Sequence, residues 1–265
     1  MTPGVSTEAT YWDYIGVEKL LSLVCPVSNF PSERPFIVCH QITELLLHLM
    51  LKEIEAIHDG ERIEEVWLHG TRKLLALSRL LTKVFSIVID CVKIEEFSEF
   101  RKLLKNASGF QSFSFRKLEL KSTSVEQLCP HKKAEISEYF VSDLYWVTLL
   151  SADNSPMISS FLEKYRSDLD GVFQESRKWC LNSALIRCRI LFHNHHDEII
   201  RNLRQYDTEI NLKWRDSHRV IAQRYIDANP TADKQSTGQT SWKKYLSPLH
   251  RVVFFPDCAD ANCIG

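Results

Sequence analysis

The chain has 265 residues, of which 44 % are hydrophobic and 25 % charged, and its formal net charge is -1. This is the composition of an ordinary globular protein, with enough residues for one large domain or two small ones. The near-neutral charge argues against binding to nucleic acid or to an anionic membrane, and no apolar run approaches the length of a bilayer span. The first eight residues lack the basic region and apolar core of a signal peptide, so we expect a cytoplasmic protein.

The cysteines carry no sign of a disulfide framework or of a zinc site. There are eight of them, none forms a Cys-x-x-Cys pair, and most lie inside helical patterns. We interpret them as reduced thiols that pack as small hydrophobic side chains.

Glycine and proline are scarce, which predicts long helices with few turns. The predicted helices span residues 36–58, 62–92, 95–104, 134–150, 156–206 and 211–226. In the second of them Gly70 is a local weak point, and the fifth is expected to break near Gly171 or Asn194. Residues 113–120 alternate apolar and polar side chains like a short strand, and residues 121–133 are predicted to be a polar loop.

An apolar stretch over residues 36–47 carries one histidine, His40. Glu44 lies four residues further on and therefore shares its helix face. An imidazole among apolar side chains needs a hydrogen-bond partner. One interpretation is a core histidine bonded to a carbonyl group. The other is a polar group that points into an apolar pocket for a flat ligand.

A second unusual polar residue is Arg101, which lies on one helix face with Phe97 and Leu104 at positions i, i+4 and i+7. One explanation is a side chain that buries its aliphatic stem and keeps its charge in water. The alternative is a fork-shaped receptor for a carboxylate beside an aromatic wall.

Two further histidine-containing segments stand out. His218 shares a helix face with Trp214, Ile221 and Tyr225, which makes it a second candidate buried histidine. Residues 193–196 contain three histidines, but consecutive residues of a helix point in different directions and make a poor tetrahedral metal site. A solvated helix end is the favoured interpretation of that segment.

Six pieces of the sequence, in this order, resemble the tryptophan 2,3-dioxygenase family. They are Tyr11-x-x-Tyr14, Phe36-Ile37-Val38-Cys39-His40-Gln41 with Glu44-Leu45, Phe97-x-x-Phe100-Arg101, Ala107-Ser108-Gly109-Phe110-Gln111-Ser112, Trp214-Arg215-x-x-His218 and Ser236-Thr237-Gly238. The resemblance runs over nearly the whole chain. It implies an all-α fold, a single helical domain over residues 1–265 with flexible ends at 1–9 and 258–265, and a homotetramer or dimer.

The resemblance also implies haem b as the cofactor and assigns residues to it. His218 would be the proximal ligand of the haem iron, which leaves the opposite face open for dioxygen. His40 would be the catalytic residue on that open side, near the indole N–H of the substrate. Ser108 and Gly109 would lie in the haem pocket.

The implied substrate is L-tryptophan or a substituted tryptophan, which O2 oxidises. Its binding site would consist of an arginine for the carboxylate, two phenylalanines against the indole, a threonine for the ammonium group and two tyrosines from a neighbouring subunit. In that order these are Arg101, Phe36 and Phe97, Thr237, and Tyr11 and Tyr14.

The segment that resembles the family's closing loop departs from its pattern. Ser236, Gln239 and Trp242 stand where the family usually has glycine, and Leu46 replaces a usual tryptophan. A stiffer, bulkier loop is expected to close differently over the substrate. We therefore expect a substantial fraction of 2-oxindole product, with one oxygen atom inserted and an external reductant consumed. Dioxygenation to N-formylkynurenine is the other outcome.

Two other classes of protein remain open at this point. A non-catalytic haem sensor or carrier is supported by Cys129-Pro130, which resembles a short element of some haem-responsive proteins. In a haem-free helical scaffold, the two histidines and Arg101 would all be satisfied core groups.

Overall fold

The computed structural model describes residues 10–104, 111–128, 156–227 and 252–256. Every regular element within these ranges is helical, which confirms the all-α class. The α-helices in chain order are α1 (Tyr11–Tyr14), α2 (Val17–Ser22), α3 (Glu33–Asp59), α4 (Glu64–Val84), α5 (Ser86–Cys91), α6 (Ile94–Phe100), α7 (Phe113–Ser122), α8 (Val125–Leu128), α9 (Pro156–Lys178), α10 (Leu181–Cys188), α11 (His196–Asp207) and α12 (Arg215–Ala222).

The longest helix, α3, ends where the sequence predicts, with Gly60 as its C-terminal cap. It begins three residues before the predicted start because the carboxylate of Glu33 is fixed there. That carboxylate accepts hydrogen bonds from the backbone N–H groups of Val27 at 2.7 Å and Ser28 at 2.8 Å. The loop that precedes α3 is thereby tied to the first turn of the helix, where an acidic side chain also complements the helix dipole.

Helices α3 and α4 pack closely against each other, and Gly70 lies in their contact. A Cβ atom at this position would lie 2.6 Å from Cγ1 of Ile57, a core residue of α3. The glycine expected to weaken α4 therefore has a packing role, because it lets the two backbones approach.

The predicted helix over 62–92 is wrong in its continuity, since it divides at Phe85 into α4 and α5. No glycine or proline marks this division in the sequence, and two tertiary contacts are made there. The thiol of Cys39 donates to the carbonyl of Val84 at 3.6 Å, and the Phe85 ring is buried against Trp214.

The predicted strand over 113–120 is also wrong, because these residues lie in α7. Ser112 caps this helix by accepting a hydrogen bond from the N–H of Phe115 at 3.1 Å. Leu118, Glu119 and Leu120 are all buried, so the short alternation of apolar residues did not reflect one buried face. Part of the predicted loop over 121–133 is helical as well, in α8.

The C-terminal half shows which of the two predicted positions, Gly171 or Asn194, carries the break. Helix α9 runs through Gly171 without interruption, and the chain turns at Trp179 and Cys180 instead. The break near Asn194 is confirmed. From His196 the chain is helical to Asp227, with π-helical segments at Thr208–Trp214 and Gln223–Asp227 on either side of α12.

The predicted helix over 134–150 lies outside the described residues, as do both termini. No described helix combines the length and apolar character needed to cross a bilayer. Cysteines 25, 39, 91, 180 and 188 are free thiols.

Gly70→Ala tests the packing of α3 on α4. We expect it to lower the free energy of unfolding by roughly 1–2 kcal/mol, because overpacking against Ile57 outweighs the roughly 1 kcal/mol of helix propensity that alanine adds. Gly171→Ala is the matched control, since nothing lies within 4 Å of a Cβ atom there. Urea unfolding should show that variant to be equally or more stable than the wild type. An equal gain in stability at both positions would contradict the packing role.

Candidate functional site

His40 lies on α3 with its ring half-buried and its proton position fixed. Its Nδ1 lies 2.8 Å from the carbonyl oxygen of Phe36. A carbonyl oxygen can only accept, so Nδ1 carries the proton and Nε2 of the neutral ring keeps its lone pair. Burial lowers the pKa of His40, against the opposite effects of that hydrogen bond and of Glu44. This hydrogen bond to a carbonyl is what the core-histidine interpretation predicted. It still leaves Nε2 free to accept a second hydrogen bond.

An aromatic cluster adjoins His40 and joins α3 to α6. The ring of Phe36 lies 4.3 Å from the His40 ring, 5.7 Å from Phe97 and 5.5 Å from Phe100 between centroids. The guanidinium carbon of Arg101 lies 5.9 Å from the centroid of Phe97. Arg101 begins the 3-10 turn Arg101–Leu103 that follows α6, and it is half-buried. The structure therefore brings together four of the predicted site residues.

His218 lies on α12 between two aromatic rings. Phe85 approaches it at 4.1 Å and Trp214 at 4.4 Å, both nearly perpendicular to the imidazole. Burial lowers the pKa of His218 to about 3, and the charges of His40 and Arg215 add to the effect. The Trp214 carbonyl opposes this shift, but no aligned hydrogen bond to Nδ1 of His218 forms among the described residues. His218 is therefore a neutral imidazole at pH 7.

The protonation of His40 affects that of His218. A charge on His40 raises the cost of protonating His218, so the imidazoles lie within electrostatic range although they belong to helices far apart in the sequence. A neutral imidazole can either bind a metal ion or accept a hydrogen bond. The arrangement can therefore hold a metal-containing group at one ring and a hydrogen-bond donor at the other.

The histidine-rich segment over 193–196 lies at a helix start. His195 is the N-cap residue of α11, and the carboxylate of Glu64 accepts from the backbone N–H groups of Asn194 and His195 at 2.9 and 2.6 Å. Among the described residues, no three His, Cys, Asp or Glu side chains gather as a metal site.

A buried carboxylate near His218 was missed by the sequence reasoning. Glu119 is 1 % exposed, and it forms ion pairs with Arg116 at 2.7 Å and Arg215 at 2.8 Å. The signal was an acidic residue between two leucines, Leu118 and Leu120, in the segment predicted to be a strand. Arg215 was noted only as part of the motif that contains His218.

Tyr225 packs against the aromatic cluster. The sequence places it on the same helix face as His218 but gives no sign of this second contact. Its hydroxyl group lies 2.8 Å from the carbonyls of both Val88 and Val92, and its ring contacts Phe97 at 5.3 Å. The C-terminal π-helical segment is thereby tied to α5 and to the wall of the site.

The remaining predicted site residues fall into two groups. Ser108, Gly109 and Thr237 lie outside the described residues, as do the substituted loop positions and Cys129-Pro130. Tyr11 and Tyr14 lie on α1, where their rings are 75 % and 73 % exposed.

Comparison with known proteins identifies one family. The model of the family described as tryptophan 2,3-dioxygenase matches residues 3–169. A tryptophan 2,3-dioxygenase of Pseudomonas fluorescens is 27 % identical over 257 residues, which cover 94 % of this chain and 88 % of the relative. One from Nocardioides is 27 % identical, with 94 % and 92 % covered. One from Xanthomonas euvesicatoria pv. vesicatoria is 28 % identical, with 99 % and 91 % covered.

Proposed function

The chain belongs to the tryptophan 2,3-dioxygenase family of enzymes, and we propose that it is a haem-dependent oxygenase that inserts oxygen from O2 at the indole C2, on the C2–C3 bond, of L-tryptophan or a substituted tryptophan. The observation that carries this proposal is the pair of half-buried histidines His40 and His218, whose pKa values are both lowered by burial and whose rings both contact aromatic side chains.

The residues around His218 fit a haem group. Haem iron accepts a neutral imidazole as its axial ligand, and burial keeps His218 neutral. Phe85 and Trp214 hold its ring edge-on from two directions, which restricts its rotation. We therefore propose His218 as the proximal ligand of haem b. The haem would supply the chemistry of dioxygen activation.

The residues around His40 fit the substrate. Since Nδ1 donates to the Phe36 carbonyl, Nε2 is available to accept the indole N–H and orient the ring. Phe36 and Phe97 provide apolar surface against the indole. Arg101, beside Phe97, is the proposed clamp for the carboxylate, because a guanidinium group makes two parallel hydrogen bonds to it. This arrangement fixes the reacting carbon relative to the haem.

We also propose roles for the residues outside this cluster. Thr237 binds the ammonium group, and Ser108 and Gly109 line the haem pocket. Tyr11 and Tyr14 complete the site of a neighbouring subunit in a homotetramer or dimer, which their exposure within one chain supports. The exposed free thiols of Cys25 and Cys91 support a cytoplasmic, reducing location.

The loop composition bears on how many oxygen atoms reach the product. Transfer of both atoms requires that the partly oxidised substrate stays in place, which a closed loop favours. Because Gln239 and Trp242 replace small residues, we propose that a substantial fraction of the product is a 2-oxindole. In that reaction one oxygen atom enters C2, and the other leaves as water with two electrons from an external reductant.

The variant His218→Ala tests the haem site. It removes the proposed protein ligand of the iron, so we expect loss of the haem absorption band or much weaker haem binding. His69→Ala is the matched control, because Nδ1 of His69 also lies near the carbonyl four residues earlier, at 2.8 Å, but on an exposed face. A His218→Ala protein with full haem content and an unchanged spectrum would exclude this ligand.

The variant Arg101→Lys tests the carboxylate clamp. Loss of the bidentate geometry typically costs about 1.5–3 kcal/mol, so kcat/KM for tryptophan should fall roughly 10- to 150-fold. Steady-state rates with tryptophan and with tryptamine, which lacks the carboxylate, measure the effect. Lys102→Arg is the control, since Lys102 is exposed and pairs with Glu99. If Arg101→Lys and wild type discriminate equally between the two substrates, Arg101 is not the clamp.

Turnover with isotopically labelled dioxygen counts the transferred atoms, and turnover itself separates an enzyme from a haem sensor. We expect a substantial fraction of product with one labelled atom and an intact ring. The triple variant Ser236→Gly, Gln239→Gly, Trp242→Gly should shift the mixture toward ring opening. Wild-type product with two labelled atoms, an open ring and no reductant consumed would refute single-oxygen insertion.

A further inference from the structure

The buried carboxylate of Glu119 connects α7 to the helix that carries His218. It forms an ion pair with Arg116 on its own helix and another with Arg215 on α12, three residues before His218. All three side chains are largely shielded from water, with Glu119 almost fully buried. Breaking a pair at this depth leaves a buried charge without compensation, so the geometry of the cluster is strongly held.

A chain of ring contacts leads from this cluster to His218. The guanidinium groups of Arg116 and Arg215 lie 4.8 and 5.8 Å from the centroid of Phe115. Phe115 lies 4.6 Å from Trp214, whose ring in turn lies 4.4 Å from His218. Arg215 is therefore connected to the imidazole of His218 through the rings of Phe115 and Trp214.

We infer that Glu119 is a positioning residue for His218, which fixes the orientation of the imidazole through Arg215, Phe115 and Trp214. This inference rests on the proposed function, in which His218 binds haem iron. Residues that orient a metal ligand without touching the metal typically affect metal affinity 10- to 100-fold. Glu119 meets that description, although its contact with His218 is indirect.

A second buried carboxylate provides a matched control. Glu209 lies in the π-helical segment before α12, and its side chain is 8 % exposed. It pairs with Lys213 at 2.6 Å and accepts from the hydroxyl of Thr82 at 3.3 Å. These partners include none of the rings that touch His218, so Glu209→Gln reproduces the loss of a buried charge without the proposed route to the imidazole.

The experiment compares Glu119→Gln with Glu209→Gln in the haem-loaded enzyme. The two measurements are the iron–histidine stretching band of the ferrous protein by resonance Raman spectroscopy and the transfer of haem to apomyoglobin. For Glu119→Gln we expect a shifted or broadened band and haem affinity reduced about 10- to 100-fold. For Glu209→Gln we expect the wild-type band and wild-type haem transfer, even if the protein melts at a lower temperature.

Arg215→Lys covers the case in which Glu119→Gln does not fold. It keeps the positive charge beside Glu119 but loses the planar fork near Phe115, so the same change in the band is expected. A wild-type band and wild-type haem transfer in the folded variants overturn the inference while leaving the proposed function intact. A change of equal size in Glu209→Gln also overturns it. A wild-type protein without any iron–histidine band overturns the proposed function as well.

Discussion

The antiparallel packing of α3 against α4 is the constraint on which the site depends. The turn between these helices is short, so the first turns of α3 lie beside the last turn of α4, as the contact between Cys39 and the Val84 carbonyl shows. Phe85, immediately after α4, touches His218, while His40 immediately follows Cys39. The packing of these two helices, in which Gly70 meets Ile57, therefore holds Phe85 and His40 in their places on the two sides of the site.

Much of the helical framework could be predicted from the sequence because its signals are local. Gly60 stops α3, and the apolar periodicity before it reflects a buried face. Local signals failed where tertiary contacts decide the conformation. The helix divides at Phe85, whose ring is buried against Trp214, and Ser112 caps a helix over residues whose alternation is typical of a strand. Gly171 is the opposite case. A glycine in a helical pattern suggested a break, but the residue adopts ordinary helical geometry within α9.

The difference between local signals and tertiary contacts also explains which parts of the site could be predicted and which were missed. Pairs within one helix follow from four-residue spacing, and the structure contains Phe36 with His40, Phe97 with Arg101, and Trp214 with His218. Contacts between helices carry no such signal. The approach of Phe85 to His218 joins two residues that lie far apart in the sequence. The ion pair of Glu119 with Arg215 depends on which face of α7 is buried, which the strand interpretation had wrong.

The π-helical turns on either side of α12 bear on how the length of this region can vary. In a π turn the hydrogen-bonded groups are five residues apart, whereas in an α turn they are four apart. A π turn can therefore absorb one inserted residue locally. The buried residues of α11 and those of α12 therefore need not follow one continuous 3.6-residue repeat. A one-residue deletion within 208–214 would be accommodated by exchanging a π turn for an α turn. A deletion between His218 and Tyr225 would have to be taken up in the same way by Gln223–Asp227. Without that adjustment it would rotate Tyr225 by about 100° relative to His218, away from the carbonyls of Val88 and Val92 that its hydroxyl group contacts. Changes in length between related sequences are therefore expected to collect in the two π-helical segments and not in α12.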